Sequence, residues 1–220
     1  MKIKGVIFDM DGVILDSEKL YVRFWCEAGR FYGFPMEEKH ALSIRSMARP
    51  LASEKLRGIF GSSFDYDVVR SKRVELMDKY VEENGIELKD GAEDLLVYLK
   101  ENGYRIALAT ATPPERAEKY LRLHDLYEYF DVTVSASMVS LGKPAPDIYL
   151  LAAEMLGLSA QSCLALEDSP NGIRSASSAG CVTVMVPDLD LPNDDILTLL
   201  HSVANGLCDV KRILREIGKH

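Results

Sequence analysis

Two aspartates, Asp9 and Asp11, stand one residue apart directly after the apolar run at 3–8, so they follow the tip of a predicted first strand. Open α/β sheets bind their ligands beyond the carboxyl ends of their strands. Because residues two apart in an extended chain point to the same side, the two carboxylates are expected to face one point and repel each other. A cation or a shared proton relieves such repulsion. The pair therefore predicts metal binding, proton transfer or both.

Two other interpretations apply to the same segment. Asp11 and Gly12 form a dipeptide that is common in turns, so the pair could be a polar turn after a strand. An EF-hand calcium loop beginning at Asp9 would need glycine at its sixth position and glutamate at its twelfth. Ile14 and Leu20 occupy those positions, which excludes the calcium loop.

Other polar residues stand where later strands are predicted to end. Short apolar runs alternate with helix-type periodicity after residue 91, which is typical of a parallel sheet covered on both faces. The predicted strands are 106–109, 132–134, 164–166 and 182–186. Thr110 follows one of these runs, Glu167 and Asp168 follow another, and Lys143 precedes a predicted helix. Because parallel strands share one carboxyl edge, these residues are expected to converge with Asp9 and Asp11 on one cleft.

The residue types in this cleft favour phosphoryl chemistry. Three or four carboxylates with only oxygen ligands suit Mg²⁺, which keeps some water and accepts a substrate phosphate oxygen. A lysine and a hydroxyl add hydrogen-bond donors for a phosphoryl group. The six residues of the predicted cleft are Asp9, Asp11, Thr110, Lys143, Glu167 and Asp168.

The domain organisation follows from the segment in which strand patterns are absent. Residues 17–84 contain no convincing strand, and their apolar residues recur at helical spacing. We therefore predict a doubly wound α/β core domain built from 1–16 and 91–220, with a helical cap domain at 17–90. The insertion joins the core next to Asp9, so a cap hinged there could open and close over the carboxylates.

Composition excludes several classes of protein. The chain has 220 residues, 47% of them hydrophobic, and a net charge of −8, which indicates a globular protein without a basic nucleic-acid patch. Its four cysteines are scattered and none shows CxxC spacing, so a zinc site or a disulfide framework is unsupported and a reducing compartment fits. No apolar run approaches the length of a membrane span. We expect a cytoplasmic protein with no nucleic-acid or membrane partner; the sequence carries no sign of its oligomeric state.

Four motifs together resemble the haloacid dehalogenase superfamily, in its branch of phosphatases and β-phosphoglucomutase-like enzymes with a helical cap. The motifs are DMDGVILDS at 9–17, ATAT at 109–112, GKPAPDIY at 142–149 and LEDSPNGI at 166–173. The resemblance covers nearly the whole predicted core. It implies a Rossmann-like core of this superfamily and an enzyme that acts on a small phosphorylated molecule.

The resemblance also implies catalytic roles. Asp9 would be the nucleophile that attacks phosphorus and forms an aspartyl-phosphate. Asp11 would protonate the leaving oxygen and then activate water. Thr110 and Lys143 would hold the oxygens of the transferring phosphoryl group.

The resemblance further implies a Mg²⁺ site. A carboxylate oxygen of Asp9, the backbone carbonyl of Asp11 and the carboxylate of Asp168 would bind the ion, with Glu167 ligating directly or through water. Displacement of halide from carbon needs neither a metal nor an acid for the leaving group. The presence of Asp11, Glu167 and Asp168 therefore argues against the dehalogenase activity of the superfamily.

The choice between phosphatase and mutase depends on residues outside the motifs. Tyr21 stands where β-phosphoglucomutase has a histidine, and Pro113-Pro114 stand where it has a Lys-Asn pair. Arg49 resembles the cap arginine that grips a distal phosphate, and Thr112 is a second candidate for substrate binding. With two mutase features missing, we predict a Mg²⁺-dependent phosphatase acting on a small phosphorylated metabolite, with sugar phosphates as the leading class.

Two alternatives stay open beside the phosphatase. The first is a phosphohexomutase of the β-phosphoglucomutase type, which would use the same aspartyl-phosphate. The second is a catalytically silent binding protein, against which the intact set of Asp9, Asp11, Lys143 and Asp168 argues.

Overall fold

One parallel sheet of six strands forms the centre of the computed structural model, which describes residues 2–45 and 47–218. The strands are β1 (Gly5–Phe8), β2 (Arg105–Thr110), β3 (Val132–Ser135), β4 (Cys163–Glu167), β5 (Val182–Met185) and β6 (Ser202–Val203). Their order across the sheet is β3-β2-β1-β4-β5-β6. In the central pairs, Phe8 of β1 lies opposite Leu108 and Leu166. The residues that follow these three strands therefore meet at one edge of the sheet.

Helices cover both faces of the sheet. They are α1 (Glu18–Phe31), α2 (Glu38–Leu42), α3 (Arg49–Phe60), α4 (Tyr66–Asn84), α5 (Ala92–Glu101), α6 (Pro114–Arg122), α7 (Asp147–Met155), α8 (Pro170–Ser178), α9 (Asp194–Leu197) and α10 (Leu207–Ile217). Val6 and Phe8 belong to the apolar cluster that includes Leu95 of α5, while Ile7 belongs to the cluster that includes Ile148 of α7. This alternation along β1 is the pattern of a strand buried on both sides. The predicted doubly wound α/β fold is confirmed.

The helices α1–α4 lie between β1 and α5 in the sequence and contribute to a second apolar cluster, while Phe24 of α1 and Met77 of α4 pack in the main core. Trp25, Leu56 and Phe64 are buried in the second cluster. Where the insertion joins the core, the backbones of its two connecting segments run side by side. The Asp16 amide donates to the Glu87 carbonyl at 2.8 Å, and the Lys89 amide donates to the Ile14 carbonyl at 2.8 Å. The boundaries 17–90 for a separate cap domain stay a prediction.

Two local features shape the helices of the insertion. The side chain of Asp65 accepts hydrogen bonds from the amides of Asp67 and Val68 and so caps the start of α4. Gly58 lies inside α3, which ends at Phe60, and the chain leaves the helix at Gly61. Burial of Ala52 and Leu56 on the same helix offsets the low helix propensity of glycine.

Two helical glycines are expected to respond in opposite directions to alanine. A Cβ atom on Gly58 would meet no atom within 4 Å, whereas one on Gly172 in α8 would lie 2.0 Å from the carboxyl carbon of Glu167. We expect Gly58→Ala to raise the free energy of unfolding by up to about 1 kcal/mol through helix propensity. Gly172→Ala is expected to lower it by roughly 1–3 kcal/mol through overpacking. Urea unfolding measures both; equal stability of the two variants would contradict the close approach of α8 to Glu167.

None of the helices in the described part of the chain combines the length and apolar character needed to cross a bilayer. The cytoplasmic location stays a prediction.

Candidate active site

The carboxyl edge of the sheet brings together the six residues predicted for the cleft. Asp9 directly follows β1, and Thr110 and Glu167 are the last residues of β2 and β4. Lys143 comes from the loop that precedes α7, and its backbone carbonyl accepts from the Ala48 amide of the insertion. All of these side chains are buried, as are Asp11 and Asp168.

Lys143 is the electrostatic centre of this group. Its Nζ atom donates to Asp9 Oδ1 at 2.8 Å, to Glu167 Oε1 at 2.5 Å and to the Ala109 carbonyl at 3.2 Å. Burial lowers the pKa of Lys143, but the two carboxylates outweigh burial and raise this pKa above its ordinary value. Burial raises the pKa of Asp9 to about 7, with Lys143 acting in the opposite direction. The ammonium group is therefore what favours the ionised form of Asp9.

The Asp11 carboxyl has partners of a different kind. It accepts hydrogen bonds from Ser17 Oγ at 2.6 Å and from Thr112 Oγ1 at 2.8 Å. Burial raises the pKa of Asp11, and the two hydroxyl groups oppose that shift. A carboxyl with a raised pKa next to a nucleophile is suited to carry a proton to a leaving group and back.

Asp9 and Asp11 do not lie on one extended strand, and their carboxylates have separate partners. The sequence placed both carboxylates on one side of an extended strand, but β1 ends at Phe8. Gly12 then adopts a φ of +79°, which turns the chain after Asp11. A Cβ atom on Gly12 would lie 2.3 Å from Asp168 Oδ2, so this position requires glycine for space as well as for conformation.

Three carboxylates of the site are close enough to share a cation. Asp9, Glu167 and Asp168 each offer an oxygen, and these oxygens lie within 4.8 Å of one another. Within the described residues, Asp168 Oδ1 is buried without a hydrogen-bond partner. Burial raises the pKa of Asp168 well above its ordinary value and the charge of Glu18 raises it further, with Arg45 acting in the opposite direction. A hard divalent cation such as Mg²⁺ fits this donor set.

Glu167 differs from the other two carboxylates because protein donors already contact both of its oxygens. Oε1 accepts from Lys143 and from the Tyr149 hydroxyl at 2.6 Å. Oε2 accepts from the Ser169 hydroxyl at 3.2 Å and from the Asp168 amide at 3.2 Å. Glu167 is therefore well placed to hold Lys143 in position from behind the site.

The two threonines of the second motif connect the sheet edge to the helical insertion. Thr110 Oγ1 accepts from the Thr112 amide at 3.0 Å. Thr112 Oγ1 donates to Asp11 and lies 3.4 Å from the Tyr21 hydroxyl of α1. Thr112, the predicted substrate-binding residue, thus links the Asp11 carboxyl to Tyr21, which stands where the mutase pattern has a histidine.

A cavity of about 230 Å³ lies between the sheet edge and the helical insertion, large enough for a small metabolite. Asp9, Asp11, Thr112 and Lys143 line its core side. Its other side is lined by residues of the insertion, among them Tyr21, Trp25, Arg45, Arg49, Tyr66, Arg70 and Arg73. The aromatic and cationic character of this second wall suits an anionic ligand with an apolar or hydroxylated surface.

The arginines of this wall differ in what they contact. Arg49, the predicted substrate contact, lines the cavity but is exposed and pairs with Asp67 at 2.6 Å. Arg45, by contrast, is buried. Its side chain is only 6% exposed and donates to Asp168 Oδ2 at 2.9 Å, which the sequence spacing could not reveal.

Arg73 is a cavity residue that the sequence analysis missed. It is buried on α4 in a row with Val69, Met77 and Val81, each four residues from the next. A cation within an apolar row of helical period departs from the usual amphipathic pattern, and this departure was the available signal.

The sequence profile of the haloacid dehalogenase-like hydrolases matches residues 3–180. This chain belongs to that family. The hydrolase is 36% identical over 182 residues to the phosphorylated carbohydrates phosphatase of Thermotoga maritima, covering 81% of this chain and 82% of that protein. It is 32% identical over 207 residues to hexitol phosphatase A of Escherichia coli, covering 92% and 93%. The resemblance inferred from the four motifs is confirmed.

A solved structure shares the fold of this chain. The hydrolase superposes on CbbY from Rhodobacter sphaeroides, solved in complex with phosphate, with a TM-score of 0.78 and 26% identity over 94% of this chain and 96% of that one. The comparison supports the α/β fold, and that relative was solved with phosphate bound.

Proposed function

We propose that this hydrolase is a Mg²⁺-dependent phosphatase that cleaves a small phosphorylated metabolite through an aspartyl-phosphate. The observation that carries the proposal is the contrast between the two first-motif aspartates. Asp9 is paired with the Lys143 ammonium beside a buried carboxylate cluster, whereas Asp11 is held only by hydroxyl groups. One carboxylate is thus suited to nucleophilic attack and the other to proton transfer. The named relatives act on phosphorylated carbohydrates and hexitol phosphates, which makes sugar phosphates the leading class.

The chemistry assigns a role to each core side chain. An oxygen of Asp9 attacks phosphorus, and the bond from phosphorus to the substrate oxygen breaks while Asp11 gives that oxygen its proton. Asp11 then removes a proton from water, the water oxygen attacks phosphorus, and the Asp9 carboxylate and phosphate are released. Lys143 and Thr110 hold the phosphoryl oxygens throughout, and Glu167 keeps Lys143 in position.

The metal completes the charge balance of this site. Asp9, Asp168 and the backbone carbonyl of Asp11 would hold Mg²⁺, with Glu167 as a neighbour that ligates directly or through water. When bound, the ion neutralises charge on the carboxylates and on the phosphoryl oxygens. The partnerless Oδ1 atom of Asp168 supports this assignment.

A mutase remains the alternative within the same chemistry. Pro113 lines the cavity without a side-chain donor, and Tyr21 replaces the histidine of the mutase pattern, both of which favour water as the acceptor. Incubation with β-glucose 1-phosphate and a bisphosphate primer distinguishes the two. Formation of glucose 6-phosphate without free phosphate would replace the phosphatase with the mutase.

Release of phosphate from a panel of phosphorylated metabolites tests the proposal directly. The panel should include hexitol phosphates, hexose phosphates and p-nitrophenyl phosphate as a general chromogenic ester. Release from p-nitrophenyl phosphate and from at least one sugar phosphate is expected. Failure to release phosphate from any ester in the presence of Mg²⁺ would refute the proposal.

Removal of the metal is expected to stop turnover. Treatment with EDTA should abolish phosphate release and added Mg²⁺ should restore it, because Asp9 and Asp168 would lose the cation that they share. Mg²⁺ should also raise the melting temperature of the wild type by binding the folded state. Asp168→Asn should lose this shift, whereas Asp65→Asn, which keeps the helix cap of α4, should retain it. Phosphate release and a melting temperature that are both unchanged by EDTA would contradict the metal assignment.

A further inference from the structure

The cap-side wall of the cavity contains two arginines from one face of α4. Arg70 and Arg73 are three residues apart, so they are neighbours on the helix surface, and both line the cavity. Arg73 is only 6% exposed. Its Nε atom is buried without a hydrogen-bond partner in the described part of the chain, and its Nη1 atom lies 3.9 Å from Met77 Sδ. We call these two residues the arginine pair.

Other cations that line the cavity are neutralised by acidic side chains. These ion pairs are Arg45–Asp168, Arg49–Asp67, Arg116–Asp78 and Lys143–Asp9. By contrast, neither member of the arginine pair has a carboxylate oxygen within 4.0 Å among residues 2–45 and 47–218. A buried guanidinium stays charged, so its burial without an anion is costly.

The immediate surroundings of Arg73 increase this cost and only partly offset it. Burial lowers the pKa of Arg73, and the positive charges of Arg70 and Arg116 lower it further. Attraction to aromatic rings offsets some of the cost, since the guanidinium carbon lies 4.8 Å from the centre of the Tyr21 ring and 5.6 Å from that of Trp25. Aromatic rings do not accept the in-plane N–H groups, which are the groups that bind carboxylates and phosphates in a bidentate manner.

Tyr21 relates the arginine pair to the reacting centre. The Tyr21 hydroxyl lies 3.4 Å from Thr112 Oγ1, which in turn donates to Asp11. The guanidinium group of Arg73 lies over the ring of the same tyrosine. The Tyr21 side chain therefore connects the proton-transfer end of the cavity to the arginine pair.

We propose that the arginine pair binds a second anionic group of the substrate, a carboxylate or a phosphate, distant from the phosphoryl group that is cleaved. Arg73 is then a specificity-determining residue, and the preferred substrates are phosphorylated sugar acids or bisphosphates rather than phosphates of neutral polyols. This inference rests on the proposed phosphatase function and narrows its substrate class.

Pairs of compounds that differ only in the second anion test the inference. The carboxylate pairs are 6-phosphogluconate with glucitol 6-phosphate and 3-phosphoglycerate with glycerol 3-phosphate, and the phosphate pair is glucose 1,6-bisphosphate with glucose 6-phosphate. We expect kcat/KM for the charged member of at least one pair to be about tenfold or more higher, the effect of one hydrogen-bonded charge. Compounds that turn over slowly are compared by their inhibition of p-nitrophenyl phosphate hydrolysis.

Variants of single arginines assign the preference to Arg73. Arg73→Met should reduce the ratio within the preferred pair to near one, and Arg73→Lys should restore part of it. Arg23→Met is the matched control and should leave the ratio unchanged. Arg23 also lies over aromatic rings of the insertion, at 5.0 Å from the Phe24 ring and 5.4 Å from the Tyr80 ring. However, its side chain is 53% exposed and pairs with Glu27.

The outcomes separate this inference from the proposed function. If p-nitrophenyl phosphate is hydrolysed but no pair shows a preference for the charged member, the inference is wrong and the phosphatase stands. Equal losses on both members of the preferred pair in Arg73→Met would also refute it, because they indicate a structural role. If no ester is hydrolysed, the phosphatase proposal fails. The ligand preference is then decided by the rise in melting temperature that each compound causes in wild type and in Arg73→Met.

Discussion

Asp9→Asn is expected to abolish phosphate release, lowering kcat for p-nitrophenyl phosphate by a factor on the order of 10⁴ or more. An amide does not form the acyl phosphate that the mechanism requires, and the Lys143 ammonium loses one of its two carboxylate partners. Steady-state assay of released p-nitrophenol measures the loss. Mass spectrometry of acid-quenched wild type should locate one added phosphoryl group on the peptide that contains Asp9.

The control for Asp9→Asn is Asp65→Asn, the same chemical change at a helix cap where asparagine is equally suitable. It should keep wild-type activity. Circular dichroism and the melting temperature establish that both variants are folded. Substantial turnover by folded Asp9→Asn, or a phosphoryl group on another residue, would remove Asp9 from the nucleophile role.

Asp11→Asn is expected to lower kcat/KM by about 10² to 10⁴ for an alkyl phosphate such as glycerol 3-phosphate. The Ser17 and Thr112 hydroxyls donate to separate oxygens of Asp11, so the amide oxygen still accepts from one of them, while the other must turn to accept from the amide NH2 group. The amide carries no acidic proton to give to the leaving oxygen. p-Nitrophenolate leaves as a stabilised anion, so formation of the phospho-enzyme from p-nitrophenyl phosphate should be much less affected. A burst of p-nitrophenol followed by slow turnover is the expected rapid-quench result, because water then lacks its base.

The dependence on the leaving group is the decisive part of this experiment. Equal losses for the alkyl and the p-nitrophenyl ester in the burst phase would argue that Asp11 supports the fold or the metal rather than proton transfer. Asp65→Asn again serves as the matched variant, and it should keep the wild-type rate on both esters.

The convergence of the core residues was predictable because it depends on a simple property of parallel sheets. Asp9 and Asp168 follow strands that are neighbours, and any pair of parallel strands exposes its carboxyl ends at the same edge. Apolar runs bounded by acidic residues therefore predicted the carboxylate cluster from sequence. Lys143 was less constrained by topology, since it comes from a loop; its place in the cleft was predicted from its position just before a helix.

The wall formed by the insertion could not be predicted in the same way. Arg45 and Arg49 are only four residues apart in the sequence, yet one is buried against Asp168 and the other is exposed beside Asp67. Their contacts depend on how the helices pack against the sheet edge, which helical periodicity alone does not determine. Arg73 was missed because its partners, Tyr21 and Trp25, come from a different helix.

The side-by-side connecting segments at the base of the insertion have a consequence for engineering. Asp16 and Glu87 are joined by a backbone hydrogen bond, and Leu15 forms an antiparallel bridge with Leu88. The two ends of the insertion between Asp16 and Glu87 therefore lie side by side. An insertion of different length could replace it at this junction without displacing the strands on either side. Chimeras built at this junction would exchange selectivity between relatives if the graft keeps Ser17 and Arg45, which contact Asp11 and Asp168.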